Sequence, residues 1–180
     1  MKSKKVTLAL LMMMLILSGC AALMFGVAEM SGTPEIKLAK GEEITVHLPT
    51  VDESLAPELS KGKMTVRGFA SMIQQDFVIE FNDRGITATE GDSEDGNYLK
   101  IHVNEYKKGV GILRVYYVPI LSDILAKSKL GGVVSLYTPG GKREVEVNKR
   151  GHKRGAGSGG DQTKKNIEMM TKATTAKLTK

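Results

Sequence analysis

The polar and apolar positions of Glu43-Ile44-Thr45-Val46-His47-Leu48 alternate at every step, the period-two signature of a strand with one buried face, and Pro49 ends it. Before it, Ala21 to Pro34 is small, apolar and weakly patterned, which predicts a tether. Val51 to Gly62 holds Pro57 and several acids without a period and predicts a loop with one helical turn. Phe69, Ile73, Phe77 and Phe81 then recur every fourth residue, and Met72 and Val78 widen the stripe into the apolar face of a helix. Asn82-Asp83-Arg84-Gly85 supplies its stop, with Gly near the left-handed position. A strand over Phe77 to Phe81 is the alternative; the four-residue spacing starts well before Phe77 and favours the helix.

Ile86 to Glu90 and Tyr98 to Tyr106 read as the next two strands. Within Ile112 to Leu130, Pro119 divides a strand, Leu113 to Val118, from a short helix, Leu121 to Lys129. Val133 to Tyr137 and Arg143 to Val147 flank Thr138-Pro139-Gly140-Gly141, where Pro before Gly suits a type II turn, so the pair predicts a hairpin. Asn148 to Gly160 reads as a Gly-rich basic loop and Asp161 as the cap of a last helix through Leu178. The elements sum to a single α+β domain: a mainly antiparallel sheet of about four to six strands, helices on one face and a C-terminal helix. Its expected core is Phe69, Ile73, Phe77, Phe81, Ile101, Val103, Val134 and Leu136.

The start of the chain follows a different logic. Met1 to Lys5 carries three lysines, Val6 to Ile16 is an apolar run of 11 residues, and Leu17-Ser18-Gly19-Cys20 closes it with small residues before the chain's single cysteine. This is the bacterial lipobox pattern, in which a peptidase cuts before the cysteine and its sulfur and new amino group are acylated. Two other readings stay open. Cys20-Ala21-Ala22 could serve as an ordinary cleavage site, and Val6 to Ala28, 23 residues without a charge, would reach about 34 Å as a helix, enough to stay as an uncleaved anchor. Lys2, Lys4 and Lys5 would then hold the N-terminus in the cytoplasm.

Beyond Cys20 there is no cysteine, so no internal disulfide can form, and with no Trp the core must rest on aliphatic, Met and Phe packing. Charge is uneven. Cys20 to Gly141 carries 12 Lys and Arg against 16 Asp and Glu, whereas Lys142 to Lys180 carries 11 against 4. A basic tail attracts acidic lipid, acidic wall polymer or an acidic protein face, and export makes nucleic acid the least suited partner.

No catalytic constellation rises above background. His47, His102 and His152 lie about 50 residues apart with no second ligand nearby, short of the three or four that zinc requires. In Gly91-Asp92-Ser93-Glu94-Asp95-Gly96, placing Gly96 at the sixth position of a calcium loop puts Gly91 at the first and His102 at the twelfth, and the EF-hand pattern fails. Gly155-Ala156-Gly157-Ser158-Gly159-Gly160 matches G-x-G-x-x-G in composition, but the chain runs only about 20 residues further, too short for the strand and acid a dinucleotide site needs. Neither a metal nor another cofactor is expected, and no enzymatic activity.

The lipobox, the helix ending at Asp83-Arg84-Gly85, the Pro139-Gly140-Gly141 hairpin and Gly157-Ser158-Gly159-Gly160-Asp161 before an Ala/Lys-rich helix together resemble small, mostly uncharacterised lipoproteins of the Gram-negative envelope. Their domain is similar to the anticodon-binding-type fold of the TolB N-terminal domain and of LpoB. The resemblance implies a signal peptide over 1–19, a lipidated Cys20 with a tether to residue 34, a periplasmic domain over 35–149, and a basic loop and helix over 150–180. It also implies an assembly or binding accessory held in the membrane by acylated Cys20 and contacting an envelope protein. Ala21 after the cysteine implies sorting to the outer membrane rather than the inner one. The expected partner surface is Lys149, Arg150, Lys153 and Arg154, with Val115, Tyr116 and Tyr117 next. The rival readings are an envelope enzyme whose site the sequence does not show and a structural cell-wall tether.

Overall fold

The computed structural model describes residues 27–31, 37–108, 128–151 and 159–180. Among the described residues seven strands form one mixed sheet: β1 (Val27–Ser31), β2 (Glu43–Val46), β3 (Thr50–Val51), β4 (Thr87–Glu90), β5 (Tyr98–Lys107), β6 (Ser128–Thr138) and β7 (Gly141–Gly151). Six of them run in the order β1-β7-β6-β5-β2-β4, and the two-residue β3 pairs with β5 beside that path. The long ladders, β5 with β6 and β6 with β7, are antiparallel, while β2 pairs in parallel with both β4 and β5. Helices α1 (Ala56–Lys61), α2 (Val66–Asp83) and α3 (Gly159–Leu178) complete the α+β domain.

One face of the sheet carries the core. In β5, Leu99, Ile101 and Val103 are buried and the residues between them exposed, the outcome that strict alternation dictates for a sheet covered on one side. Phe69, Ile73, Phe77 and Phe81 of α2 are fully buried, and with Val134 and Leu136 of β6 they meet the expected core at every position. Thr65 caps α2 by accepting a hydrogen bond from the Gly68 N–H at 3.0 Å. At the other end the Ile86 N–H reaches back to the Phe81 carbonyl, with Gly85 at φ +80° in the stop the sequence predicts.

Helix α3 buries Ile167, Met170 and Leu178 together with an unexpected set of threonines, Thr163, Thr171, Thr174 and Thr175, and Thr179 just after it is buried too. Their hydroxyls need partners once water is gone, and they find them: Thr174, Thr175 and Thr179 donate to the carbonyls four residues back at 2.7–2.9 Å, and Thr171 donates to Asp76 of α2 at 2.5 Å. Arg84, just past α2, donates to Thr175, to the Lys172 carbonyl and to Glu80, joining the two helices.

Several expectations are corrected. The tether contains β1, which pairs antiparallel with β7. The loop before α2 contains β3, a 3-10 turn at Glu53–Leu55 and α1, because Pro57 sits in the first turn of α1, where its missing N–H costs nothing. Ser128 to Leu130 belong to β6, so the predicted helix cannot run to Lys129. The hairpin strands are longer than predicted and carry β7 through to Gly151, which removes the first part of the basic loop. Gly141 rather than Gly140 takes the positive φ, +136°, so the turn is not type II. Helix α3 begins at Gly159, so Asp161 lies inside it rather than capping it.

Candidate functional site on the open sheet face

The face of the sheet away from the helices displays the polar half of each alternation. Glu43 and Thr45 of β2 stand beside Thr87 and Thr89 of β4, and Tyr98, Lys100 and His102 of β5 stand opposite Tyr137, Ser135 and Val133 of β6. Pro49 shapes the middle of this face. Without an N–H to donate, it interrupts the strand that runs parallel to β5, so β2 and β3 lie end to end along one edge of β5 with His47, Leu48 and Pro49 between them.

A depression of about 550 Å³ opens beside that interruption. Its floor is Lys100, His102 and Ser135; Leu48 and Thr50 form one wall, Tyr137 and Lys142 the other. A second depression, about 340 Å³, lies over β2 and β4 and carries Glu42, Glu43 and Asp95 among threonines. One face therefore holds a basic hollow and an acidic one.

The aromatic side chains are stacked across strands. Tyr98 and Tyr137 lie 4.6 Å apart at 7°, and His47 continues the row 5.3 Å from Tyr98. Cross-strand pairs of this kind stabilise the sheet, and because the rings use their faces on one another, they offer a ligand edges and hydroxyls. The Lys100 ammonium stands 5.4 Å and 5.6 Å from the two tyrosine centroids, and the Lys142 ammonium 5.5 Å from Tyr137, within cation–π range. Glu94, from the loop before β5, pairs with Lys100 at 2.5 Å. That contact holds the Glu94 carboxyl below its usual range and the Lys100 ammonium above its own. The pair is solvent-exposed and exchanges readily.

Thr50, His102 and Asp52 form a chain at the rim: Thr50 Oγ1 lies 3.0 Å from His102 Nδ1, and His102 Nε2 lies 3.4 Å from Asp52 Oδ1. The order matches a hydroxyl, its base and an orienting acid. However, Thr50 also donates to the Ile101 carbonyl at 3.3 Å, and His102 and Asp52 are each more than 40% exposed, so water is not excluded as nucleophilic catalysis requires. The chain fastens the short β3 to β5. In the loop Gly91 to Gly96 two of the three acids are engaged locally, Glu94 by Lys100 and Asp95 by Ser93. Among the described residues no group of three or more His, Cys, Asp or Glu is placed to hold a metal ion.

No protein-family model and no curated protein matches the chain. Solved structures do. A PelC variant from Paraburkholderia phytofirmans, a dodecamer, superimposes with a TM-score of 0.55 at 14% identity, over 86% of this chain and 100% of that one. A second PelC dodecamer from the same organism gives 0.51 at 12% identity, over 82% and 96%. Protein XCC0632 from Xanthomonas campestris is more distant, at 0.47 and 10% identity over 79% and 91%. The chain has the PelC fold.

Of the residues singled out in the sequence, Cys20, Val115, Tyr116, Tyr117, Lys153 and Arg154 lie outside the described residues. Lys149 and Arg150 are neighbouring positions of β7, opposite Leu130 and Lys129 of β6. The residues that do converge, Lys100, His102, Tyr137 and Lys142, are separate in sequence. The alternation of β5 shows two of them on one polar face; only the register with β6 and β7 adds the others.

Proposed function

We propose that this chain is a lipid-anchored protein of the bacterial envelope, held at the outer membrane by acylated Cys20, that acts by binding rather than by catalysis and works in several copies. The observation that carries the reading is Leu17-Ser18-Gly19-Cys20 after a basic start and an apolar run, which leaves the folded domain outside the cytoplasm on a lipid anchor. The fold supports it as well. It is shared with PelC, a protein that forms dodecamers. The open sheet face, with its opposite-signed hollows, suits contact better than chemistry.

Labelled palmitate fed to cells making the native chain is expected to enter the protein, and Cys20→Ala to abolish that labelling while the chain is still made. Label persisting in the Ala variant, or an intact mass that retains Met1, overturns the anchor. Native mass measurement in detergent is expected to show a closed homo-oligomer, and a strict monomer at all concentrations removes the multi-copy part. Turnover of a wall or lipid substrate by the purified protein would replace the binding assignment.

A further inference from the structure

We propose that the hollow between β3, β5 and β6 binds a small polyhydroxylated anion, a sugar carrying a carboxylate or phosphate, with Glu94 as the internal carboxylate that the ligand displaces. The proposal goes beyond the envelope reading and does not need it. Three observations carry it. First, the ionisable side chains lining the hollow are Lys100, Lys142, His47, His102 and Tyr137, with no carboxylate among them, although acids are plentiful on this face. Second, about 550 Å³ is much more than a bare inorganic anion fills, and the lining adds the hydroxyls of Thr50, Ser135 and Tyr137 and an apolar side from Leu48 and Val133, a combination suited to a sugar-sized ring with hydroxyls on one face.

Third, the protein already shows a carboxylate on the key cation. Glu94 reaches Lys100 from the loop Gly91 to Gly96, an exposed contact between long side chains that a ligand carboxylate or phosphate can take over.

The test is calorimetric titration of the full chain, purified in detergent, with glucuronate, glucose 6-phosphate, inorganic phosphate and uncharged glucose. Both charged sugars are expected to bind at least 10-fold more tightly than glucose and than inorganic phosphate, and a preference between the two identifies the acid. Lys100→Met combined with Lys142→Met is expected to weaken binding of the charged sugars at least 10-fold. Glu94→Gln is expected to tighten it several-fold by removing the competitor, a gain that a damaged fold would not produce. Equal affinity for glucose, inorganic phosphate binding as well as the sugars, an unaffected double variant whose circular dichroism is native, or a Glu94→Gln variant with unchanged or weaker affinity each overturns the proposal.

Discussion

Tyr106 shows how one side chain couples the sheet to the last helix. It is buried, its ring centroid is 5.0 Å from that of Phe69, and its hydroxyl is 3.0 Å from Thr163 Oγ1 in α3. Burial raises its phenol pKa, against a smaller lowering from the Thr163 contact, because a phenolate would have to shed its hydration. A folded-state value above the unfolded one means the contribution to stability is complete below about pH 10 and is lost as pH rises through that point toward the folded value. Absorbance titration of the phenolates should therefore show a step above the ordinary phenol range, and Tyr106→Phe should remove that step; an unchanged curve for the variant would refute it. Phe77→Ala should cost about 3–5 kcal/mol in urea unfolding, since the ring is fully buried and leaves a cavity; a loss below about 1 kcal/mol would contradict its burial. At this scale the apolar core was legible, because Phe and Ile at fourfold spacing from Phe69 favour a helix face over the strand alternative. The buried threonines of α3 were not. A hydroxyl reads as polar until the helix offers it a carbonyl four residues back.

Among the elements, β4 is a sheet edge, and edges invite strand addition. Parallel pairing with β2 turns the peptide groups of Thr87 and Thr89 inward and leaves the Ala88 N–H and C=O facing out. Asn82 meets both: its Oδ1 accepts from the Ala88 N–H at 3.0 Å, and its Nδ2 donates to the Ala88 carbonyl at 3.3 Å and to the Val78 carbonyl at 2.9 Å. One carboxamide thus takes the place of a neighbouring strand's peptide. Asn82→Ala should lose about 1–3 kcal/mol and reopen the edge, giving concentration-dependent association on light scattering that the native chain does not show. A variant that loses stability without new association would make Asn82 a helix-end clamp only. The sequence predicted Asn82 to Gly85 as a helix stop, which it is. The second role depends on which strand lies at the edge, a fact of pairing order that local pattern does not contain. Gly132 is similar. It pairs with Val103 where β5 bulges before Glu105, and a Cβ there would be driven into the His102 carbonyl oxygen, a close approach that the local sequence around Gly132 does not reveal.

For the whole molecule, the sequence suggests an acidic body with a basic appendage after Lys142, and the structure gives that division no physical seam. Strand β7 is the inner partner of both β1 and β6, α3 packs on α2 and on β6, and the final residues close a parallel bridge in which the Leu38 N–H bonds to the Leu178 carbonyl and the Lys180 N–H to the Leu38 carbonyl. Charge balance follows composition, whereas domain boundaries follow burial and pairing, so the shift in charge marks no boundary. The consequence is cooperative unfolding. The helical signal, to which α3 contributes as the longest of the described helices, and the near-ultraviolet signal of the Tyr98–Tyr137 stack on the opposite face should disappear in one coincident transition. Arg84→Met removes the hydrogen bonds to Thr175 and the Lys172 carbonyl that join α2 to α3, along with the one to Glu80 at the end of α2, and it should move both signals together to lower urea by about 1–3 kcal/mol. If the helical signal fell first while the tyrosine stack persisted, α3 would be a separable appendage after all, and the division suggested by charge would be the physical one.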